Sequence, residues 1–132
     1  MIDVVALGEL LIDFAARSTD AAGYPTMAAN PGGAPGNFLA ALNAYGKKTA
    51  FLGKVGEDAF GHLLLGTLNA AGIETRGIRV DDSVFTTLAF VTFDAQGDRS
   101  FSFARKPGAD TRLTWEEVDT ALIDEAKVFH FG

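Results

Sequence analysis

Short apolar runs alternate with segments of helical periodicity along the first 80 residues of the chain. Nearly continuous apolar runs are typical of strands buried on both faces of a sheet, whereas apolar residues three or four positions apart indicate a helix packed along one side. The predicted strands are residues 2–7, 50–55 and 76–80, and the predicted helices lie between them. This β-α-β-α-β order predicts a parallel sheet covered by helices.

The predicted helices carry recognisable end residues. Asn37 and Asp58 have side chains that can accept hydrogen bonds from free N–H groups, so each is predicted to cap a helix start. Gly46 suits the left-handed backbone that ends many helices. Further along, Thr114 and Glu117 are spaced as a capping box, which predicts a third helix before the final strand.

A second set of segments has the alternating pattern of half-exposed strands. Residues 11–16 alternate in this way, and residues 85–93 and 100–104 flank a glycine-containing turn that predicts a hairpin. Because the core strands do not alternate, we place these strands in a smaller sheet outside the main layer. The segment 17–36 is rich in Ala, Gly and Pro and is predicted to be mainly loop, with a short strand near 26–28.

The charge balance limits the partners of the chain. A formal charge of −6 and a pI near 4.7 argue against nucleic acid and anionic membranes, because both require clustered Lys and Arg. The absence of cysteine excludes thiolate metal sites and cysteine catalysis, and His62 and His130 are too isolated to predict a metal site. With no apparent signal peptide or membrane span, a cytoplasmic location is expected.

The sequence NPGGAPGN at 30–37 is the most distinctive local motif. Gly32 and Gly33 lack side chains, so their N–H groups can approach a polar ligand closely, and Asn37 can both donate to and accept from a hydroxyl group. A tight loop that ends in a helix cap explains the same residues equally well. The Gly-Lys-Ser/Thr ending of a P-loop is absent, which argues against that kind of phosphate site.

Residues 32–61, GGAPGNFLAALNAYGKKTAFLGKVGEDAFG, resemble the N-terminal signature of the ribokinase-like, or PfkB, family of sugar kinases. Leu39 departs from the family pattern, which usually has a small residue there. Three further segments agree, GELLIDF at 8–14, FARKPGAD at 103–110 and VFHFG at 128–132. The resemblance implies an α/β, Rossmann-like parallel sheet with helices on both faces, together with a small β-sheet lid that covers a sugar.

The resemblance also implies which residues contact the sugar. The implied ligand residues are Asp13, Gly32, Gly33, Asn37 and Arg105. An ionised Asp13 can accept hydrogen bonds from two adjacent hydroxyls, although a solvated aspartate on an edge strand would fit the alternating pattern as well. Phe101 and Phe103 either shield the sugar from water or pack one face of the smaller sheet.

The reaction implied by the resemblance is the ATP-dependent phosphorylation of a sugar hydroxyl. The segments at 8–14 and 103–110 are most similar to fructokinases and 2-keto-3-deoxygluconate kinases, so fructose is the first candidate substrate and 2-keto-3-deoxygluconate the alternative. From another class of protein, a non-catalytic sugar-binding or dimerisation module is also compatible with the chain. Family members can dimerise through their lids, which makes a homodimer a further expectation.

The family takes its catalytic base from a GAGD-type motif near the C-terminus, and this motif is absent here. The sequence GADT at 108–111 is only superficially similar, so Asp110 is not predicted to be the base and no catalytic residue is assigned. Residues 1–132 are therefore expected to form the N-terminal part of one domain, with lid segments at about 10–30 and 84–105. ATP and Mg²⁺ are expected to bind mostly in the C-terminal part, and the 132 residues alone are predicted to be inactive.

Overall fold

The computed structural model describes residues 1–132, which form eight strands and three α-helices. The strands are β1 (Ile2–Leu7), β2 (Leu11–Thr19), β3 (Pro25–Gly32), β4 (Thr49–Gly56), β5 (Ile78–Asp81), β6 (Thr87–Phe93), β7 (Arg99–Ala104) and β8 (Ala126–Phe131). The helices are α1 (Ala34–Ala44), α2 (Ala59–Ala70) and α3 (Thr120–Glu125), and two short 3₁₀ turns span Ala109–Arg112 and Trp115–Glu117. None of these helices is long and apolar enough to cross a membrane.

The main sheet contains four strands in the order β5-β4-β1-β8, and every neighbouring pair is parallel. Every residue of β4 is buried, as expected for a strand covered on both faces. Leu39 of α1 and Leu64 of α2 pack against one face, while Leu122 of α3 packs against the other. The predicted parallel sheet with helices on its faces is therefore confirmed.

The second sheet contains four strands in the order β3-β2-β6-β7. The β2–β3 and β6–β7 pairs are antiparallel, and the central β2–β6 pair is parallel. One face of this sheet packs against α2, where the rings of Phe14 and Phe60 meet edge to face with centroids 5.2 Å apart. The opposite face carries the alternate residues of the same strands and points away from α2.

The segment before α1 is more ordered than its composition suggests. Strand β3 pairs with β2 along eight residues, where the sequence predicted mainly loop. Pro25 and Pro31 are accommodated because β3 is the edge strand of its sheet, where a missing N–H leaves no ladder bond unmade. Pairing with a neighbouring strand thus overrides the loop-like composition.

The start of α1 also differs from the prediction. The helix begins at Ala34 with Gly33 as its N-cap, so Asn37 lies one turn inside the helix and is not the cap. Pro35 explains the earlier start, because proline is favoured in the first turn, where an N–H lacks a partner in any case. The predicted cap of α2 is confirmed, since Asp58 accepts hydrogen bonds from the N–H groups of Phe60 and Gly61.

Candidate functional site

The side chain of Asp13 and the backbone of Gly32 meet at the end of the β2–β3 hairpin. Asp13 lies opposite Asn30 in the hairpin register, and Gly32 is the last residue of β3. A Cβ atom added to Gly32 would overlap Asp13 Oδ2 and lie 3.0 Å from Asp13 Cγ. Only glycine therefore lets the carboxylate lie against the chain immediately before α1.

Gly33 lies close to the backbone of a second acidic residue, Glu9. Its φ of 110° lies in the region that favours glycine, and an added Cβ would lie 2.7 Å from the backbone oxygen of Glu9. Glu9 lies in the connection between β1 and β2, four residues before Asp13. The two glycines thus bring the start of α1 against both ends of the segment 9–13.

Asn37 lies next to this region, on the first turn of α1. Its N–H donates to the Gly33 carbonyl oxygen at 3.2 Å, and its side chain is exposed and makes no hydrogen bond within the chain. Together with Gly32 it lines a small cavity of about 70 Å³ between α1 and α2, whose other walls include Leu10 and Leu64. The structure therefore brings Asn37 beside Gly32, but no hydrogen bond joins it to Asp13.

Arg105 follows β7 and is held by two carboxylates. Its Nη2 and Nε groups donate to the two oxygens of Asp110, at 3.0 and 3.3 Å, and its Nη1 lies 3.8 Å from Glu9 Oε2. The Asp110 side chain is fully buried and also accepts a hydrogen bond from the hydroxyl of Thr87. Arg105 is thereby tied to β6, to the turn that follows β7 and to the segment that carries Asp13.

The two phenylalanines of β7 lie on the same face of the second sheet as Asp13. The strand register joins Asp13 to Ala89 of β6 and Ala89 to Phe103 of β7, and residues paired in this way point to the same side of a sheet. Phe101 follows two positions away, and the two rings stack with centroids 6.1 Å apart. Both side chains remain about half exposed, so the face next to Asp13 ends in an open aromatic surface.

The electrostatics of this region are dominated by carboxylates. Burial raises the pKa of Asp13 above its usual 3.8, and the negative charge of Glu9 raises it further. Glu9 and Asp110 lie beside the guanidinium of Arg105, and Glu9 also acts on Asp13, so the carboxylates of this region outnumber its one arginine. Such a site suits a neutral molecule rich in hydroxyl donors, since carboxylates only accept hydrogen bonds.

The sequence analysis missed Glu9 and the partner role of Asp110. The sequence contained one signal for Glu9. Its even spacing from Asp13 places both residues on the same face if the alternation of β2 is extended back to residue 9. The sequence predicted only that Asp110 is not the catalytic base. Its contact with Arg105 depends on the turn that follows β7, which local patterns do not specify.

Other polar groups near the main sheet have structural partners. Lys54 is only 4% exposed and donates to Glu117 at 2.6 Å, to Asp81 at 3.3 Å and to the carbonyl oxygen of Arg112. Burial acts to lower the pKa of Lys54, but the two carboxylates outweigh it and raise the pKa. No group of three or more His, Cys, Asp or Glu side chains converges in a geometry that could hold a metal ion.

Comparison with known proteins defines the class to which this fold and site belong. Residues 1–132 match the family described as pfkB family carbohydrate kinase, and the chain belongs to that family. It is 46% identical over 131 residues to the fructokinase of Solanum tuberosum, an alignment that covers 98% of this chain and 41% of the potato protein. The chain thus spans about 40% of the length of the curated relatives that it matches.

Solved structures show the same relationship. The crystal structure of fructokinase from Xylella fastidiosa matches with a TM-score of 0.92 at 35% identity and covers 99% of this chain and 41% of that one. A further structure of the Xylella fructokinase contains bound ATP and matches with a TM-score of 0.90 at 34% identity, over 99% of this chain and 42% of that one. The ribokinase-like fold class predicted from the sequence, a parallel sheet with helices and a second small sheet, is confirmed.

Proposed function

We propose that this chain forms the sugar-binding part of an ATP-dependent sugar kinase, with fructose as its substrate. The observation that carries the proposal is the Asp13 carboxylate lying against Gly32, on the sheet face that also carries Phe103. Membership of the pfkB family and the names of the fructokinase relatives support the choice of reaction and of sugar.

In this proposal Asp13 accepts hydrogen bonds from two adjacent sugar hydroxyls. Charge-assisted bonds of this kind contribute about 1.5 to 3 kcal/mol each. The side-chain-free backbone at Gly32 and Gly33 leaves room for the sugar to approach the start of α1, where Asn37 presents an amide that both donates and accepts. Arg105 contacts the sugar from the second sheet.

Phe101 and Phe103 are assigned to the lid of the proposed site. Their positions on the Asp13 face allow the aromatic rings to cover the sugar and exclude water when the second sheet closes over it. The lid corresponds to segments at about 10–30 and 84–105, which contain the four strands of the second sheet apart from the last residues of β3.

The excess of carboxylates over arginine in this region favours an uncharged sugar. The alternative substrate, 2-keto-3-deoxygluconate, carries a carboxylate that Glu9 and Asp13 would repel. Neither this alternative nor a non-catalytic sugar-binding or dimerisation module is supported by the relatives reported above.

ATP and Mg²⁺ complete the proposed reaction, and residues 1–132 do not fit them well. The polar recess nearest the end of β5 is lined by Glu57, Asp81, Asp82 and Glu117, which would repel a polyphosphate. Lys54, the cation beside this recess, is already saturated by carboxylates and a carbonyl group. We therefore propose that the nucleotide, the metal ion and the catalytic base are held mostly by parts of the protein outside these residues.

We further propose a cytoplasmic homodimer that associates through the second sheet. Phe93, Phe101 and Phe103 lie on one face of this sheet and are each more than half exposed. An apolar face of this kind is commonly covered by another chain. Phe101→Ser in the complete gene product should shift the mass measured by light scattering from dimer to monomer, and an unchanged dimer would contradict this assignment.

The kinase proposal is tested with the complete gene product, ATP and a panel of sugars. We expect phosphorylation of a fructose hydroxyl, identified by NMR of the product, with a higher kcat/KM than for glucose, ribose or 2-keto-3-deoxygluconate. A protein that phosphorylates none of these sugars would contradict the proposed function. A preference for another sugar would retain the kinase and correct the substrate.

A further inference from the structure

Asp110 occupies the edge of Arg105 that arginine uses to bind carboxylates. The Nε and Nη2 groups of Arg105 donate to Asp110 Oδ1 and Oδ2, at 3.3 and 3.0 Å. Two parallel N–H···O bonds of this kind are also the geometry with which an arginine recognises the carboxylate of a ligand. Asp110 therefore fills the position that the acid group of a substrate would take on this edge.

Asp110 is fixed in this position independently of Arg105. Its side chain is fully buried, and the hydroxyl of Thr87 donates to the same Oδ1 that Arg105 contacts. Thr87 is itself buried and belongs to β6, the central strand beside β2. A fully buried carboxylate with two partners does not readily leave them for solvent, because it would have to break both interactions.

The remaining donor edge of Arg105 faces another acidic residue. Its Nη1 lies 3.8 Å from Glu9 Oε2, and 34% of the Arg105 side chain is exposed. An incoming molecule thus meets an arginine whose charge is already balanced by Asp110, with the carboxylate of Glu9 beside it. Hydroxyl groups can still accept from the exposed N–H of Arg105, whereas a carboxylate gains little there and is repelled.

We propose that Asp110 is a specificity-determining residue that makes this site reject sugar acids by masking Arg105. The inference rests on the proposed function, since it concerns the same sugar site and deepens the choice of substrate class. Specificity of this type arises from an element that disfavours the wrong ligand as well as from contacts with the right one. Asp110 is not assigned a contact with the sugar itself and acts through Arg105.

The test compares the dissociation constants of fructose and 2-keto-3-deoxygluconate by titration calorimetry, using the complete gene product. Asp110→Asn keeps the size of the side chain and an acceptor for Thr87, but removes the charge and one acceptor of Arg105. We expect its affinity for the sugar acid, relative to fructose, to rise about tenfold. Asp119→Asn is the matched control, because Asp119 lies 3.6 Å from another arginine, Arg76, and this change should leave the ratio unaltered.

A second variant serves if Asp110→Asn does not fold. Arg105→Lys keeps the positive charge but removes the paired N–H donors of the guanidinium. The position is partly exposed, so the change should be tolerated by the fold. The loss of the Arg105 sugar contact affects both ligands, and Asp110 already occupies the edge that would bind an acid, so we expect the ratio of the two dissociation constants to change by less than about threefold. A loss of about tenfold or more in the affinity for the sugar acid relative to fructose would show that Arg105 binds the acid despite Asp110, and would overturn the proposal.

The outcomes separate this proposal from the proposed function. A wild-type protein that binds fructose without phosphorylating it contradicts the kinase, while the ratio of the two dissociation constants still decides the role of Asp110. An unchanged ratio in a folded Asp110→Asn variant, or an equal change in Asp119→Asn, overturns the role of Asp110 alone. Failure of both the wild type and Asp110→Asn to bind either sugar overturns both.

Discussion

The carboxylate of Asp13 lies so close to the backbone of Gly32 that a methyl group at position 32 would overlap its Oδ2 atom. The two residues are far apart along the chain, and the β2–β3 hairpin brings them together. This contact joins the glycine-rich segment before α1 to the one acidic side chain that projects from the middle of β2.

Gly32→Ala should separate these two groups. We expect the added Cβ to displace the Asp13 carboxylate and weaken fructose binding at least about tenfold, with KM affected at least as strongly as kcat. The matched control is Gly66→Ala, because position 66 lies on an exposed part of α2 with nothing within 4 Å of an added Cβ. That change should raise stability by about 0.5–1 kcal/mol and leave binding unchanged. Calorimetry and denaturant unfolding of both variants check these outcomes, and normal fructose affinity in Gly32→Ala would contradict the assignment.

The pH dependence of sugar binding should depend on Glu9. Burial, followed by the charge of Glu9, raises the pKa of Asp13 above 3.8. Because the ionised form accepts sugar hydroxyls, affinity should fall as the pH drops through this raised value. Glu9→Gln removes one cause of the shift, so the midpoint of the fall should move to lower pH.

The measurement is the fructose dissociation constant between about pH 4 and 7. The exposed Glu116 provides the control, since Glu116→Gln changes the net charge equally and should leave the profile unchanged. The same raised pKa means that Asp13 contributes most to folding stability below pH 3.8 and loses that contribution as the pH rises through its folded pKa. Identical binding profiles in the wild type and Glu9→Gln would contradict the coupling.

Asp58 should matter for stability, since it joins α2 to the second sheet. It caps α2 through Phe60 and Gly61, and its Oδ2 and Oδ1 accept from the N–H and hydroxyl of Thr86 just before β6. Asp58→Ala removes a cap and leaves buried donors without partners, so we expect a loss of about 2–4 kcal/mol. Asp94→Ala removes an aspartate from an exposed turn, where it accepts from two N–H groups, and should cost less than about 1 kcal/mol.

The stability contributed by Asp58 should also be sensitive to acid. Burial acts to raise the pKa of Asp58, but the hydrogen bonds from Thr86, Gly61 and Phe60 outweigh it and lower the pKa below 3.8. Its contribution is therefore present above pH 3.8 and lost as the pH falls through the folded pKa. Chemical unfolding of the wild type and Asp58→Ala should accordingly converge towards low pH, and a constant difference would show that the ionised hydrogen bonds do not stabilise the fold.

The variant Lys54→Met tests whether Lys54 stabilises the fold or binds the sugar. Lys54 neutralises Asp81 and Glu117, and both carboxylates are partly exposed and can be rehydrated, so a loss of about 1–3 kcal/mol is expected. Fructose affinity should stay within about twofold of the wild type. Lys47→Met, at an exposed position, controls for the loss of charge. Loss of sugar binding in a stably folded Lys54→Met variant would make Lys54 part of the site.

Local patterns predicted the main sheet well, because its strands and helix ends are encoded nearby in the sequence. The apolar run of β4 and the cap at Asp58 are examples in which the prediction and the structure agree. Strand β3 was not predicted at its full length, since its Ala, Pro and Gly residues become a strand only through pairing with β2. The helix starts at Ala34, before the predicted cap at Asn37, because Pro35 is compatible with the first turn and allows the earlier start.

The candidate site likewise combines residues that the sequence predicted with residues that only the structure brings to it. Asp13, Gly32 and Arg105 were predicted from motifs, whereas Glu9 and Asp110 emerged only from the structure. Both of these contacts join segments that are distant in sequence or shaped by an irregular turn, and no periodicity specifies them. The placement of Asp13, Ala89 and Phe103 on one face of the second sheet likewise depends on the strand register, which a single sequence does not determine.

The most direct test of the account is the fructose affinity of Asp13→Asn in the complete gene product. Asparagine keeps the shape of the side chain but replaces a charged double acceptor with a neutral amide. We predict fructose binding at least about tenfold weaker by calorimetry, with an unfolding midpoint equal to or above that of the wild type, because a desolvated charge is removed. Wild-type fructose affinity in a folded Asp13→Asn protein would contradict the claim that this carboxylate holds the sugar.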